Sequence, residues 1–176
     1  ALEELVKCGA DTFIRVGTSG HIQKDIKSGE LAIITAAIRD EGTSRHYMPI
    51  EFPAIASIDT VLALQAAAKK TGATFRTGIT QSKDSFYGQH EPERMGVARD
   101  LLERWKAWEI GGALCSEMEA SALFVIASML RVRAGGVMMV HGKEPMPSLD
   151  ILLETAIQSL RELISMDRAN GKKLTI

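Results

Sequence analysis

The segment that most constrains this chain is Leu31-Ala32-Ile33-Ile34-Thr35-Ala36-Ala37-Ile38, a nearly continuous apolar run of strand length. Alternation of apolar and polar residues would mark a strand with one wet face. An unbroken run instead predicts a strand buried on both faces, as in a sheet with helices on either side. The rest of the chain supplies such helices. Ser57 to Thr71 carries apolar residues at Ile58, Val61, Leu62, Leu64 and Ala68 and stops at Gly72, which predicts an amphipathic helix. Helical spacing returns from Val97 to Trp108, from Ser116 to Leu130 and from Leu149 to Arg168. Further strands are predicted at Thr12–Val16, Thr74–Thr80 and Ala134–Val140, while Asp84 to Arg94 is polar and reads as irregular. Strands alternating with helices predict an α/β fold around a mixed or largely parallel central sheet, in one domain over residues 1–176.

Bulk properties narrow the function classes. A formal net charge of −1 argues against a protein that lives on nucleic acid, because neutralising phosphates needs a basic surplus. The two cysteines, Cys8 and Cys115, form neither a CxxC site nor a disulfide framework, and each is read as a small buried residue. No apolar run approaches the length of a membrane span and no signal-peptide pattern opens the chain, so a cytoplasmic location is expected. Ala1 to Gly9 reads as the last turns of an amphipathic helix stopped by Gly9, which predicts residues upstream of Ala1.

Three segments combine residue types that chemistry needs. In Arg15-Val16-Gly17-Thr18-Ser19-Gly20 a strand runs into a glycine-bounded segment, read as a tight loop. Its backbone N–H groups and hydroxyls suit an anion, and a guanidinium suits phosphate. A tight turn with Arg15 paired to a structural carboxylate is an equal alternative. In Asp84-Ser85-Phe86-Tyr87-Gly88-Gln89-His90 an aromatic pair precedes an amide, the stacking surface and bidentate group that a nucleobase requires. A surface loop with Phe86 plugging the core is the plainer account. In Ser116-Glu117-Met118-Glu119-Ala120, Ser116 and Glu119 have the spacing of a capping box, which leaves Glu117 without a task. The alternative is a carboxylate at a helix start that grips two vicinal hydroxyls of a sugar. His21, His46, His90 and His141 show no metal-ligand spacing, and Asp40 and Glu41 read as solvated loop charges.

Taken in order, these segments resemble the nucleoside phosphorylase family, and within it the uridine-cleaving members. Leu31 to Pro53, ending Pro49-Ile50-Glu51-Phe52-Pro53, adds a further similar stretch. The resemblance implies a three-layer α/β fold and the reaction of uridine with phosphate to give uracil and ribose 1-phosphate. It implies catalytic roles for Arg15 and Gln89, and phosphate binding by Arg15 and Thr18. Ribose would be held by Thr18, Glu117, Met118 and Glu119, and the base by Ser19, Gly20, Phe86 and Gln89. It further implies no metal or redox cofactor, inorganic phosphate as co-substrate, no nucleic-acid or membrane partner, and a homo-hexamer built as a trimer of dimers. Other chemistries on the same scaffold are a nucleosidase that uses water and a purine nucleoside phosphorylase. An inactive truncated ligand-binding module is the non-enzymatic alternative.

The chain departs from the family in three places. The family's opening strand and Gly-Asp-Pro phosphate loop are expected upstream of Arg15, so only part of a phosphate site is expected here. Many relatives carry an arginine two residues after the glutamine of the uracil loop, where this chain has Glu91, leaving His90 or Arg94 to substitute. Val140 to Pro145 reads as a shortened loop, and the aspartate that purine-specific members carry in this region has no counterpart before Asp150.

Overall fold

The computed structural model describes residues 1–142 and 144–171. Among these residues six strands form one mixed sheet: β1 (Thr12–His21), β2 (Leu31–Asp40), β3 (Ala54–Ile55), β4 (Phe75–Lys83), β5 (Cys115–Glu117) and β6 (Arg133–His141). Their order is β3-β2-β4-β5-β1-β6, and β6 also pairs with β2 at Leu31–Ile33, so the sheet closes on itself as a flattened barrel with β3 outside. β1 lies parallel to β6, β4 parallel to both β2 and β5, and β5 antiparallel to β1. The helices are α1 (Leu2–Lys7), α2 (Ile58–Thr71), α3 (Phe86–His90), α4 (Ala98–Ile110), α5 (Ala120–Leu130) and α6 (Asp150–Ala169).

The apolar run sits where its composition requires. Ala32 and Ile34 of β2 join Met138 and Val140 of β6 in a core with Phe124 and Val125 of α5. The alternate residues Leu31, Ile33, Val137 and Met139 face the other way, against Leu64 of α2 and Leu152 of α6. A period of two therefore feeds two cores from one sheet, which is why both strands read as continuous apolar runs. Gly72 ends α2 in the left-handed conformation, as its position predicts.

At Gly135 of β6 the sheet and α2 touch directly. A Cβ built there would lie 2.6 Å from Oγ1 and 2.7 Å from Cβ of the buried Thr60. Thr60 is β-branched and donates to the carbonyls of Ser57 and Ala134, so it cannot step aside. Gly135→Ala is expected to cost about 1–3 kcal/mol, the usual toll of overpacking a tight core, read as a lowered midpoint in urea unfolding.

Four sequence readings change. The Gly17–Gly20 segment is not a loop, because β1 continues to His21 by pairing residue for residue with β6. The apolar helix begins at Ala120 and not at Ser116, since Ser116 belongs to β5. The polar stretch from Asp84 contains the short helix α3, capped by Ser85, and a turn of 3-10 helix at Pro92–Arg94. Cys8 is exposed, whereas Cys115 is buried as expected.

Candidate functional site

β5 is only three residues long. It pairs with β1 at Gly20 and His21, and β1 from Thr12 to Ser19 is laddered to β6 alone among the described residues. The gap left beside β1 is a cleft of about 650 Å³. Arg15, Thr18, Ser19 and Gly20 of β1, Phe86 and Gln89 of α3, and Glu117, Met118 and Glu119 at the start of α5 all line it. The three segments, far apart in the chain, thus meet at one cavity. Ser19 lines it although its hydroxyl is buried.

The two glutamates have different surroundings. Glu117 is fully buried, and its Oε2 accepts from the backbone N–H groups of Glu119 and Ala120 at 2.8 and 2.9 Å. Ser82 of β4 donates its hydroxyl proton to Glu117 Oε1 and accepts from the N–H of Ser121 at 2.9 Å. Glu117 and Ser82 together satisfy three N–H groups at the start of α5, where the helix leaves donors without partners. The capping-box reading of Ser116 and Glu119 is therefore corrected: the cap is Glu117. Glu119, with its side chain 61% exposed, is left to face the cleft.

Arg15 stands between them. Its Nε lies 3.1 Å from Glu117 Oε2 and donates to Glu119 Oε2 at 3.0 Å, and its Nη2 also donates to Glu119. Gly17, two residues along the same strand face, makes room for this. A Cβ there would meet Arg15 Nη1 at 2.5 Å. The glycine read as a turn signal serves instead to let a guanidinium lie flat on a strand.

At the other end, Phe86 is about half exposed and stacks on His90 at 4.2 Å between ring centroids. The Gln89 amide lies beside Gly20, where a Cβ would meet Gln89 Nε2 at 3.6 Å, ordinary van der Waals contact. Ser116 Oγ contacts Gln89 Oε1 at 2.7 Å and also Gln81, whose Nε2 donates to Asp40 at 2.7 Å. Asp40 is in turn ion-paired with Arg104 of α4, and burial raises its pKa against those two partners. Glu41 is buried and accepts from Ser44 N–H at 2.8 Å and Ser121 Oγ at 2.7 Å. Neither Asp40 nor Glu41 is the solvated charge that sequence implied.

Sequence reasoning missed several cleft residues. His21 and His141, scattered along the chain, line the cavity, as do Lys83 and Trp105. Only the sheet register, which puts Gly20 opposite both Ser116 and His141, brings such residues together. Of the two substitutes for the uracil-loop arginine, His90 lines the cleft. Arg94 does not: it pairs with Glu91 at 2.9 Å and lies over the Tyr87 ring. The shortened loop includes Lys143, which lies outside the described residues; His141 and Gly142 before it border the cleft.

Comparison with known proteins follows the same lines. The family model described as the phosphorylase superfamily matches residues 1–165. A uridine phosphorylase of Treponema pallidum is 49% identical over 143 residues, covering 81% of this chain and 55% of that protein. One of Thermococcus kodakarensis is 44% identical over 187 aligned positions, covering 99% of this chain and 66% of that protein. That alignment is longer than the 176-residue chain, so the relative has internal residues with no counterpart here. A uridine phosphorylase of Escherichia coli is 34% identical, with 96% and 69% covered. The chain thus spans little more than half the length of the first of these relatives and about two thirds of the others. With the family model matched along most of its length and a cleft assembled from the three segments that carry the resemblance, the chain belongs to the phosphorylase superfamily.

Proposed function

We propose that this chain forms the nucleoside-binding part of a pyrimidine nucleoside phosphorylase, which converts uridine and phosphate to uracil and ribose 1-phosphate. The observation that carries this reading is the order of groups along one cleft. An arginine braced by two carboxylates lies at one end, and an aromatic face with an amide at the other. Relatives named uridine phosphorylase, including one 44% identical across 99% of the chain, support the same substrate.

In this reading Arg15 and Thr18 hold phosphate. Glu119, with Met118 beside it, accepts from the ribose hydroxyls, while the buried Glu117 holds Arg15 and the start of α5 in place. Phe86 stacks on the base, Gly20 and Ser19 border it, and Gln89 reads its edge. Phosphate attacks the anomeric carbon as the bond to the base breaks, through a transition state with sugar-cation character like that of glycoside cleavage. Catalysis then consists of placement and charge stabilisation, and needs no protein nucleophile, metal or redox cofactor. A cytoplasmic homo-hexamer, built as a trimer of dimers, belongs to the same proposal; among the described residues no helix is long and apolar enough to cross a membrane.

The test is phosphate dependence. Uracil release from uridine by the full-length protein, followed chromatographically, is expected to stop when phosphate is withheld and to yield ribose 1-phosphate when it is supplied. Undiminished release without phosphate would identify a nucleosidase instead.

A further inference from the structure

Lys83 closes β4 and is only 6% exposed. Its Nζ donates to Ser116 Oγ at 2.8 Å and leans on the Glu117 carbonyl at 3.4 Å. Both partners are uncharged oxygens. The nearby carboxylates are engaged elsewhere, Glu117 with Arg15, Ser82 and the start of α5, and Asp40 with Arg104 and Gln81. Burial pushes the Lys83 ammonium below the ordinary lysine pKa, against the pull of Glu117 and Glu119. A buried ammonium without a carboxylate partner is costly, and such a cost persists where an incoming negative charge offsets it.

The place of that charge is defined. Lys83 borders the main cleft and also a neighbouring cavity of about 440 Å³, and Gln89, His90 and Trp105 border both. Lys83 and Gln89 meet on the same Ser116 hydroxyl, so the ammonium stands one side chain away from the amide assigned to the base. The other cations at this end are poorly suited. Arg94 is turned to Glu91 and Tyr87. His90 is held below its usual pKa, first by burial and then by the charges of Lys83 and His141, which disfavours its cationic form.

We propose that Lys83 is a catalytic residue, the base-side cation of the cleft, whose Nζ donates to a carbonyl oxygen of the bound pyrimidine. This rests on the phosphorolytic reading above. As a phosphate oxygen bonds to the anomeric carbon, the electron pair of the breaking C–N bond passes to the base and spreads onto its carbonyl oxygens. Lys83 stabilises that oxygen anion by hydrogen bonding and remains protonated. The released base takes up, through water, the proton that the hydrogen phosphate gives up on becoming ribose 1-phosphate.

The role is read by changing the leaving group. 5-Fluorouridine carries a base that bears negative charge more easily and leans less on an external cation. Lys83→Met is expected to lower kcat for uridine about 100-fold, the usual loss on removing one charge-stabilising donor. For 5-fluorouridine the loss is expected to be about tenfold, with the KM for phosphate unchanged. Lys83→Arg is expected to keep most of the activity. Lys83→Gln, which retains a donor for Ser116 without the charge, repeats the comparison if the Met variant melts early. Equal losses on both nucleosides in an active enzyme would overturn the assignment and leave phosphorolysis standing. Absence of any phosphate-dependent cleavage by the unmodified protein would overturn both.

Discussion

Arg15→Ala is expected to lower kcat/KM for phosphorolysis by roughly 100- to 1,000-fold, with most of the loss in the KM for phosphate. The size follows from removing a fixed, charged donor from a partly closed cleft, where such a group is worth about 3–4 kcal/mol in the transition state. Arg15 is 16% exposed at its side chain and is braced by Glu117 and Glu119, so little rotational freedom is lost when an anion binds. Arg15→Lys is expected to recover only a small part. An ammonium cannot reproduce the planar fork that spans two carboxylates and an anion together. Phosphate titrations at saturating uridine provide the measurement. A variant that saturates with phosphate as the parent does would remove Arg15 from the anion site and leave it a structural partner of Glu117.

The second large effect concerns stability. Glu117→Ala leaves the N–H groups of Glu119 and Ala120 and the Ser82 hydroxyl without their buried acceptor, and takes from Arg15 its buried counter-charge. Loss of a helix cap together with a buried charged acceptor is expected to cost about 3–5 kcal/mol. At roughly 2–4 °C per kcal/mol for a domain of this size, Tm falls by about 6–20 °C. Glu119→Ala, at an exposed carboxylate, is expected to stay within about 1 kcal/mol of the parent. Thermal melts of the two variants side by side decide the matter. If Glu119→Ala proved the more damaging, the cap would lie with Glu119, as the spacing from Ser116 alone implied.

That contrast shows what sequence could and could not reveal. Local periodicity was enough for β2, β6 and α2, because each element's burial pattern is written within a few neighbouring residues. The Ser116–Glu119 pattern misled because the real cap draws on Ser82 of β4 and Arg15 of β1, distant in the chain. Gly17 misled for a related reason. Its lack of a side chain serves the guanidinium two residues earlier and makes no turn. The site segments were legible only through their order along the chain, since each alone had a plainer structural reading as a turn, a surface loop or a helix cap. Lys83 carried no such mark. A lysine ending a strand reads as solvated until β5 and α3 are laid against it.

The closure of the sheet bears on how the chain reaches its folded state. β6 is the parallel partner of β1 over nearly its whole length and also the strand that zips onto β2. Both contacts join strands far apart in sequence, so during synthesis β1 and β2 leave the ribosome long before their shared partner exists. Pairings of such sequence separation form slowly, and until β6 is made β1 and the Leu31–Ile33 edge of β2 lack this partner. The interval before β6 is synthesised is therefore the one in which these strand edges stay unpaired.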